Sequence, residues 1–306
     1  MAKKKKSKST STKSAPSTPT KSTKVTVTEV TTPIPTPTPI ATPTPIVATP
    51  GSASELDYWR FTDQIYNNGD RDSTLNPDTS GLWEYAPEFV PLSRYDPRFN
   101  EIANAFHEGW IHQHKRADII AIYHVDEEAF CMWQHGQKFN RYLKSTYGWT
   151  RPKLKFHGTT RACAFGNPGR PLEPCWNEQC HFCCILWRGF RLETAKFGGM
   201  FGQGIYSSDA SSKADHYVKN LHNPFINQPR AILVCRVVCD KPQRVVGPDY
   251  HRRQPDSGYN CVEGLTKKDG GTVRYPETIV YREDAIAPVA VVIYEKEYIK
   301  AAKEAP

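Results

Sequence analysis

Long apolar runs are missing from this 306-residue chain. Nothing in it approaches the ~18 consecutive apolar residues a membrane helix needs, so no membrane partner is expected. Residues 1–53 also lack aromatic side chains, and they carry a single acid, Glu29. Their lysines have no apolar core behind them, which excludes a secretory signal. A segment so poor in apolar bulk and so rich in proline cannot offset its ordering entropy. It is expected to be disordered, with polyproline-like character around Pro33-Ile34-Pro35-Thr36-Pro37-Thr38-Pro39. Lys3 to Lys6 suit a nuclear-import signal or a polyanion tether, and equally a plain solvated tail.

Basic charge is scarce outside that tail. The chain carries a formal +8, and eight lysines against Glu29 place seven of those charges in residues 1–53. The remainder sums to about +1, too little for a dedicated phosphate-neutralising face. Nucleic-acid contact is therefore expected only through the basic tail. Cysteine is not scarce: there are nine, an odd number, five of them between Cys163 and Cys184. Without an export signal, such a cluster reads as metal binding rather than disulfides, in the reducing nucleus or cytoplasm.

The expected organisation is a tail over 1–53, a polar connecting arm over 54–84, one folded domain over 85–298 and a short tail over 299–306. Ile102, Phe106 and Trp110 recur every four residues after Asp96-Pro97, which predicts an amphipathic helix. Residues 117–125 predict a strand and 129–147 a second helix. Further strands are predicted at 153–157, 203–207, 230–238, 278–282 and 289–294, and helical stretches near 183–190 and 210–220. Strands crowd the C-terminal half without a regular βαβ alternation, so the fold class is α+β.

Three segments carry the chemistry: Phe156-His157-Gly158-Thr159, Phe201-Gly202-Gln203-Gly204-Ile205-Tyr206 and Glu277-Thr278-Ile279-Val280-Tyr281. Singly they say little. A His-Gly pair is common, and Gly202-x-Gly204 is half a dinucleotide fingerprint placed before a strand instead of after one, so a Rossmann reading fails. In this order and spacing they resemble the catalytic domain of the poly(ADP-ribose) polymerase family, the diphtheria-toxin-like H-Y-E ADP-ribosyltransferases. Ser211 to Tyr217, the loop Gly258-Tyr259-Asn260-Cys261-Val262, and the ending Ala287-Pro288 with Val291 to Tyr294 extend the resemblance over about 85–297. It implies an ADP-ribosyltransferase fold: two packed, mostly antiparallel sheets with flanking helices.

The resemblance also implies roles. Glu277, His157 and Tyr206 form the catalytic set, with NAD+ as substrate. His157, Gly158, Thr159, Tyr206, Lys213, Ala214 and Tyr217 bind it. Departure of nicotinamide builds positive charge on the ribose, so a site for this reaction needs a flat aromatic platform, backbone partners for the carboxamide and a carboxylate near the sugar. Tyr206 and Tyr217 supply the platform, and Gly158 permits close approach. The bland alternative makes the two tyrosines core aromatics and His157 a satisfied core histidine. One residue departs from the family pattern: Ala214 stands where a serine usually bonds the carboxamide. Tyr275, two residues before Glu277, disfavours the arginine-specific branch.

Cys163, Cys175, Cys180 and Cys183 supply four thiolates at knuckle spacing, enough for a closed structural zinc site, with His181 and Cys184 in reserve. A Cys-rich insert of this kind resembles a fungal-type subgroup of these transferases. The expected activity is mono-ADP-ribosyl transfer to a protein acceptor. No room is seen ahead of the domain for a helical regulatory module, so activation by DNA breaks is not implied. The rivals are a catalytically inactive module that binds NAD+, ADP-ribose or protein, and a zinc-stabilised interaction module acting through its tail.

Overall fold

A computed structural model describes residues 87–146, 151–195, 198–221 and 229–299. The expected tail, the connecting arm and nearly all of the short C-terminal tail lie outside the described residues. In chain order the elements are β1 (Phe89–Pro91), α1 (Pro97–Glu108), β2 (Lys115–Val125), α2 (Glu127–Met132), α3 (Gln134–Ser145), β3 (Lys153–His157) and β4 (Thr160–Arg161). Then come α4 (His181–Arg188), β5 (Ile205–Ser207), α5 (Ser211–Ala214), β6 (Lys219–Asn220), β7 (Arg230–Val237), β8 (Pro242–Val245), β9 (Cys261–Gly264), β10 (Glu277–Val280) and β11 (Ile286–Tyr298).

The α+β expectation holds. A five-stranded antiparallel sheet runs β1-β2-β11-β7-β3, and a four-stranded sheet runs β5-β10-β9-β8 with only β8 and β9 parallel. β4 and β6 form a small parallel pair. The centre of the large sheet is apolar on both faces because both are covered. Ala290, Val292 and Tyr294 of β11 join Ile102 and Phe106 of α1 in one cluster. The alternate residues Val291 and Ile293 join Phe130, Trp133, Phe139 and Leu186 in another. The period-two alternation of a strand makes this possible. Full burial of Phe106 contributes ~1.5–3 kcal/mol. Pro288 cannot donate to the ladder, and the β11–β7 register shifts between Pro288 and Ala290.

The helix after Asp96 forms as predicted. The Asp96 carboxylate accepts from the Arg98 N–H at 2.9 Å, and Pro97 supplies a preset φ at the first position. Three predicted elements differ. The single helix over 129–147 is two helices parted at Trp133, which is extended (φ −70°, ψ 128°). Its buried indole N–H donates to the Trp187 carbonyl at 2.8 Å, a tertiary bond that overrides local helix continuity. The helical stretch over 210–220 is shorter: α5 passes into a 3-10 turn at Asp215–Tyr217, and the chain is strand again by Lys219. The strand predicted from 203 begins at Ile205, since Gly202 sits at φ +75°. β1, β8 and β9 were not foreseen, nor was the disulfide joining Cys239 to Cys261.

Candidate active site

A backbone bridge joins the two large sheets beside the predicted site residues. Phe156 at the end of β3 exchanges two backbone hydrogen bonds with Ser208, just past β5, at 2.8 and 3.0 Å. The bridge puts His157 beside Tyr206, and the His157 Nδ1–H donates to the Tyr206 carbonyl at 2.7 Å. Burial lowers the His157 pKa, so the ring is neutral near pH 7 and its Nε2 keeps a lone pair free to accept. The Tyr206 hydroxyl donates to the Gly202 carbonyl and accepts from the Phe201 N–H, each at 2.9 Å. That double tie fixes the ring over the Gly202 turn, and burial pushes its phenol up to about 12.

Glu277 opens β10, which pairs with β5 on one side and β9 on the other. Its Oε1 lies 2.9 Å from Lys213 Nζ, with both side chains largely buried. Burial works against the Lys213 ammonium, but the Glu277 carboxylate outweighs it and holds the pKa above its usual value. The same ammonium lies 5.2 Å from the Tyr217 ring centroid. Residues 213 and 217 are four apart, which places both on one side of the helical turn. Tyr217 is half-exposed. Tyr206, Lys213, Tyr217 and Glu277 thus lie near one another, with His157 bonded to the Tyr206 carbonyl, and this neighbourhood is the candidate cleft.

Gly158 backs onto the same turn. A β-carbon there would overlap the Ala214 carbonyl oxygen and lie 2.8 Å from its carbon. Its φ is unexceptional, so the close approach alone requires glycine. The Thr159 carbonyl accepts from the Lys219 N–H at 3.2 Å, which pins the segment where β4 meets β6. Ala214 is buried at the packing face of α5. Beside the cleft, a hollow of about 430 Å³ is lined by His112, His114, His216, Arg274 and Tyr275, with Ile111 and Gln113.

Cys163, Cys175, Cys180 and Cys183 come together although the first and last lie 20 positions apart. The sulfurs of Cys163, Cys175, Cys180 and Cys183 all lie within 4.8 Å of one another. Cys163 lies 3.8 Å from Cys180 and 3.5 Å from Cys183. Tetrahedral zinc with ~2.3 Å bonds to sulfur sets neighbouring sulfurs ~3.8 Å apart, so the donor set and spacing fit that ion. The Ala162 N–H donates to Cys180 Sγ at 3.2 Å, the second contact such a sulfur favours. Cys184 turns away toward the Asn177 and Glu178 carbonyls. α4, which carries Cys183, ends at Gly189 (φ +76°). Phe190 beyond it is buried and meets the His157 ring edge-on at 5.0 Å. The cysteine cluster therefore reaches the cleft through one short helix. Sequence reasoning missed Phe190, for a phenylalanine after a helix-ending glycine carries no local mark of what it packs on.

Compared with known families, residues 178–302 match the model of the Poly(ADP-ribose) polymerase catalytic domain. The match includes Tyr206, Lys213, Ala214, Tyr217 and Glu277, and two of the four cysteines, Cys180 and Cys183. His157, Gly158 and Thr159 lie ahead of it and are tied to the cleft by the contacts described above.

Proposed function

With residues 178–302 belonging to the poly(ADP-ribose) polymerase catalytic domain family, we propose that this protein is an NAD+ ADP-ribosyltransferase whose active site is the cleft between Tyr206, Tyr217 and Glu277. The observation that carries the reading is the Lys213–Glu277 ion pair at 2.9 Å, with the Tyr217 ring centroid 5.2 Å from the same ammonium. A carboxylate held in one orientation at the edge of an aromatic cleft is what oxocarbenium chemistry needs.

In this reading the nicotinamide ring enters beside Tyr206 and Tyr217, and its carboxamide pairs with the Gly158 backbone. The His157 Nε2 accepts from a hydroxyl of the adenosine ribose. Glu277 accepts from the 2′-hydroxyl of the nicotinamide ribose, which stabilises the charge that develops as the C1′–N bond breaks. Nicotinamide leaves with the bonding pair. The acceptor nucleophile then forms the new bond to C1′ and loses its proton, with Glu277 positioned to take it. The hollow beside Tyr275 gives the acceptor an approach. In this reading a protein acceptor takes a single ADP-ribose.

Zinc at Cys163, Cys175, Cys180 and Cys183 has a structural role here. Four protein ligands leave no position for water, and the ion would hold α4 and hence Phe190 against His157. A second reading has a specific observation behind it: Ala214 removes the hydroxyl that family members direct at the carboxamide, which favours a module that binds NAD+ or ADP-ribose without turnover. Nicotinamide release separates the two readings. Turnover lost on replacing Glu277 supports the transferase, and NAD+ binding without release supports the module.

A further inference from the structure

The turn that carries Lys213 and Tyr217 is short and would have little rigidity of its own. α5 spans four residues and the 3-10 turn that follows spans three. Helical geometry sends residues 213 and 217 to one side and residue 215 to the other. On that other side Asp215 is buried, its side chain at 0 % exposure. Its Oδ1 accepts from Arg230 Nε and from the Tyr294 hydroxyl, both at 2.7 Å. Its Oδ2 accepts from Lys296 Nζ at 2.9 Å and lies 3.4 Å from Lys115 Nζ. These partners stand on β2, β7 and β11, so one carboxylate bolts the turn to three adjacent strands of the large sheet.

The backbone is held as well. The second arm of the Arg230 guanidinium donates to the Asp215 carbonyl at 3.0 Å and the Val218 carbonyl at 2.7 Å, which bracket Tyr217 in sequence. Ser211, one turn earlier, donates to the Phe106 carbonyl at 2.6 Å. Burial works against the Asp215 carboxylate, but its cations outweigh that and keep the pKa below the usual value. A buried carboxylate with three cationic partners and a phenol is far more than helix capping requires.

We propose that Asp215 is a positioning residue for the nicotinamide half of the site: through Arg230, Lys115, Lys296 and Tyr294 it fixes where the Tyr217 ring and the Lys213 ammonium stand. This rests on the reading of the Tyr206–Tyr217 cleft as the nicotinamide site. ADP-ribose lacks that ring and is held through the His157 side of the cleft, so it reports on everything except the turn.

The test measures nicotinamide and ADP-ribose affinity by calorimetry on the full chain, for wild type, Asp215→Asn and Tyr294→Phe. Tyr294→Phe keeps the ring in the core and removes only the hydroxyl that donates to Asp215. A folded Asp215→Asn protein is expected to bind nicotinamide about tenfold more weakly and ADP-ribose within twofold of wild type. Tyr294→Phe should show the same selectivity at about threefold. In turnover, KM for NAD+ should rise more than kcat falls. Unchanged nicotinamide affinity in both variants overturns the inference and leaves the proposed function standing, as does a proportional loss of both ligands. Wild-type protein that binds no nicotinamide overturns both. Wild-type protein that binds nicotinamide without releasing it from NAD+ refutes turnover, while selective loss in Asp215→Asn still upholds the inference.

Discussion

Replacing Gly158 by alanine tests the geometry of the cleft more sharply than deleting any polar group. The added β-carbon would overlap the Ala214 carbonyl oxygen, lie 2.8 Å from the Ala214 carbon and 3.2 Å from Val218 Cγ2. None of these is the loose end of a flexible chain. Ala214 and Val218 bracket the turn that carries Asp215 and Tyr217, and that turn is anchored to the large sheet by Arg230. Relief therefore requires the turn, or the end of β3, to retreat by ~1 Å, since ordinary carbon contacts stand near 3.5 Å. Overpacking of this kind costs ~1–3 kcal/mol of stability. Displacing a positioning element by ~1 Å costs roughly a hundredfold in rate. Nicotinamide release from NAD+ should thus fall by roughly two orders of magnitude in a protein that still melts cooperatively. Activity within threefold of wild type would refute the claim that the Gly158 backbone and the Lys213–Tyr217 turn close on one another.

Other perturbations have expected outcomes. Ala214→Ser should tighten NAD+ binding by ~0.5–1.5 kcal/mol if the residue beside Gly158 faces the carboxamide; calorimetry that finds equal or weaker binding counts against that placement. Elemental analysis should find one zinc per chain, and chelation or Cys180→Ser should lower the melting temperature by roughly 10 °C or more. Metal-free protein with an unchanged melting point would contradict the four-cysteine site. Stability should fall with acid well above the carboxylate range. Burial lowers His124 to about 3 and His112 to about 4, from ordinary values of 6.5. Folded protein keeps both neutral while unfolded chain takes up their protons, so their contribution is complete above pH 6.5. It is lost as pH falls toward 4, at about 1.4 kcal/mol per pH unit for each group. Equal denaturant midpoints at pH 7.5 and pH 5 would contradict this.

Much of the candidate site was legible because its marks are local. His157-Gly158, Gly202-x-Gly204 before a strand, and Glu277 opening an apolar strand each stand within a few residues. Their order carries the resemblance that the match over 178–302 supports. The cysteines were legible for the same reason, and their sulfurs do converge. What stayed hidden depends on distant partners. The break at Trp133 follows from a bond to residue 187, and nothing in residues 129–147 announces it. The clamp on Asp215 draws on positions 115, 230, 294 and 296, each of which reads alone as an ordinary surface charge or core tyrosine. β8 and β9 are four residues each, too short for a period-two pattern to stand out, and their parallel pairing is non-local.

The most direct test of the central claim is nicotinamide release from NAD+ by the zinc-loaded full chain, measured beside Glu277→Gln. The account predicts release above background in wild type and a loss of at least about tenfold in the variant, consistent with the removal of one transition-state contact. Wild-type protein that binds NAD+ yet releases no nicotinamide, or a variant as active as wild type, would contradict it.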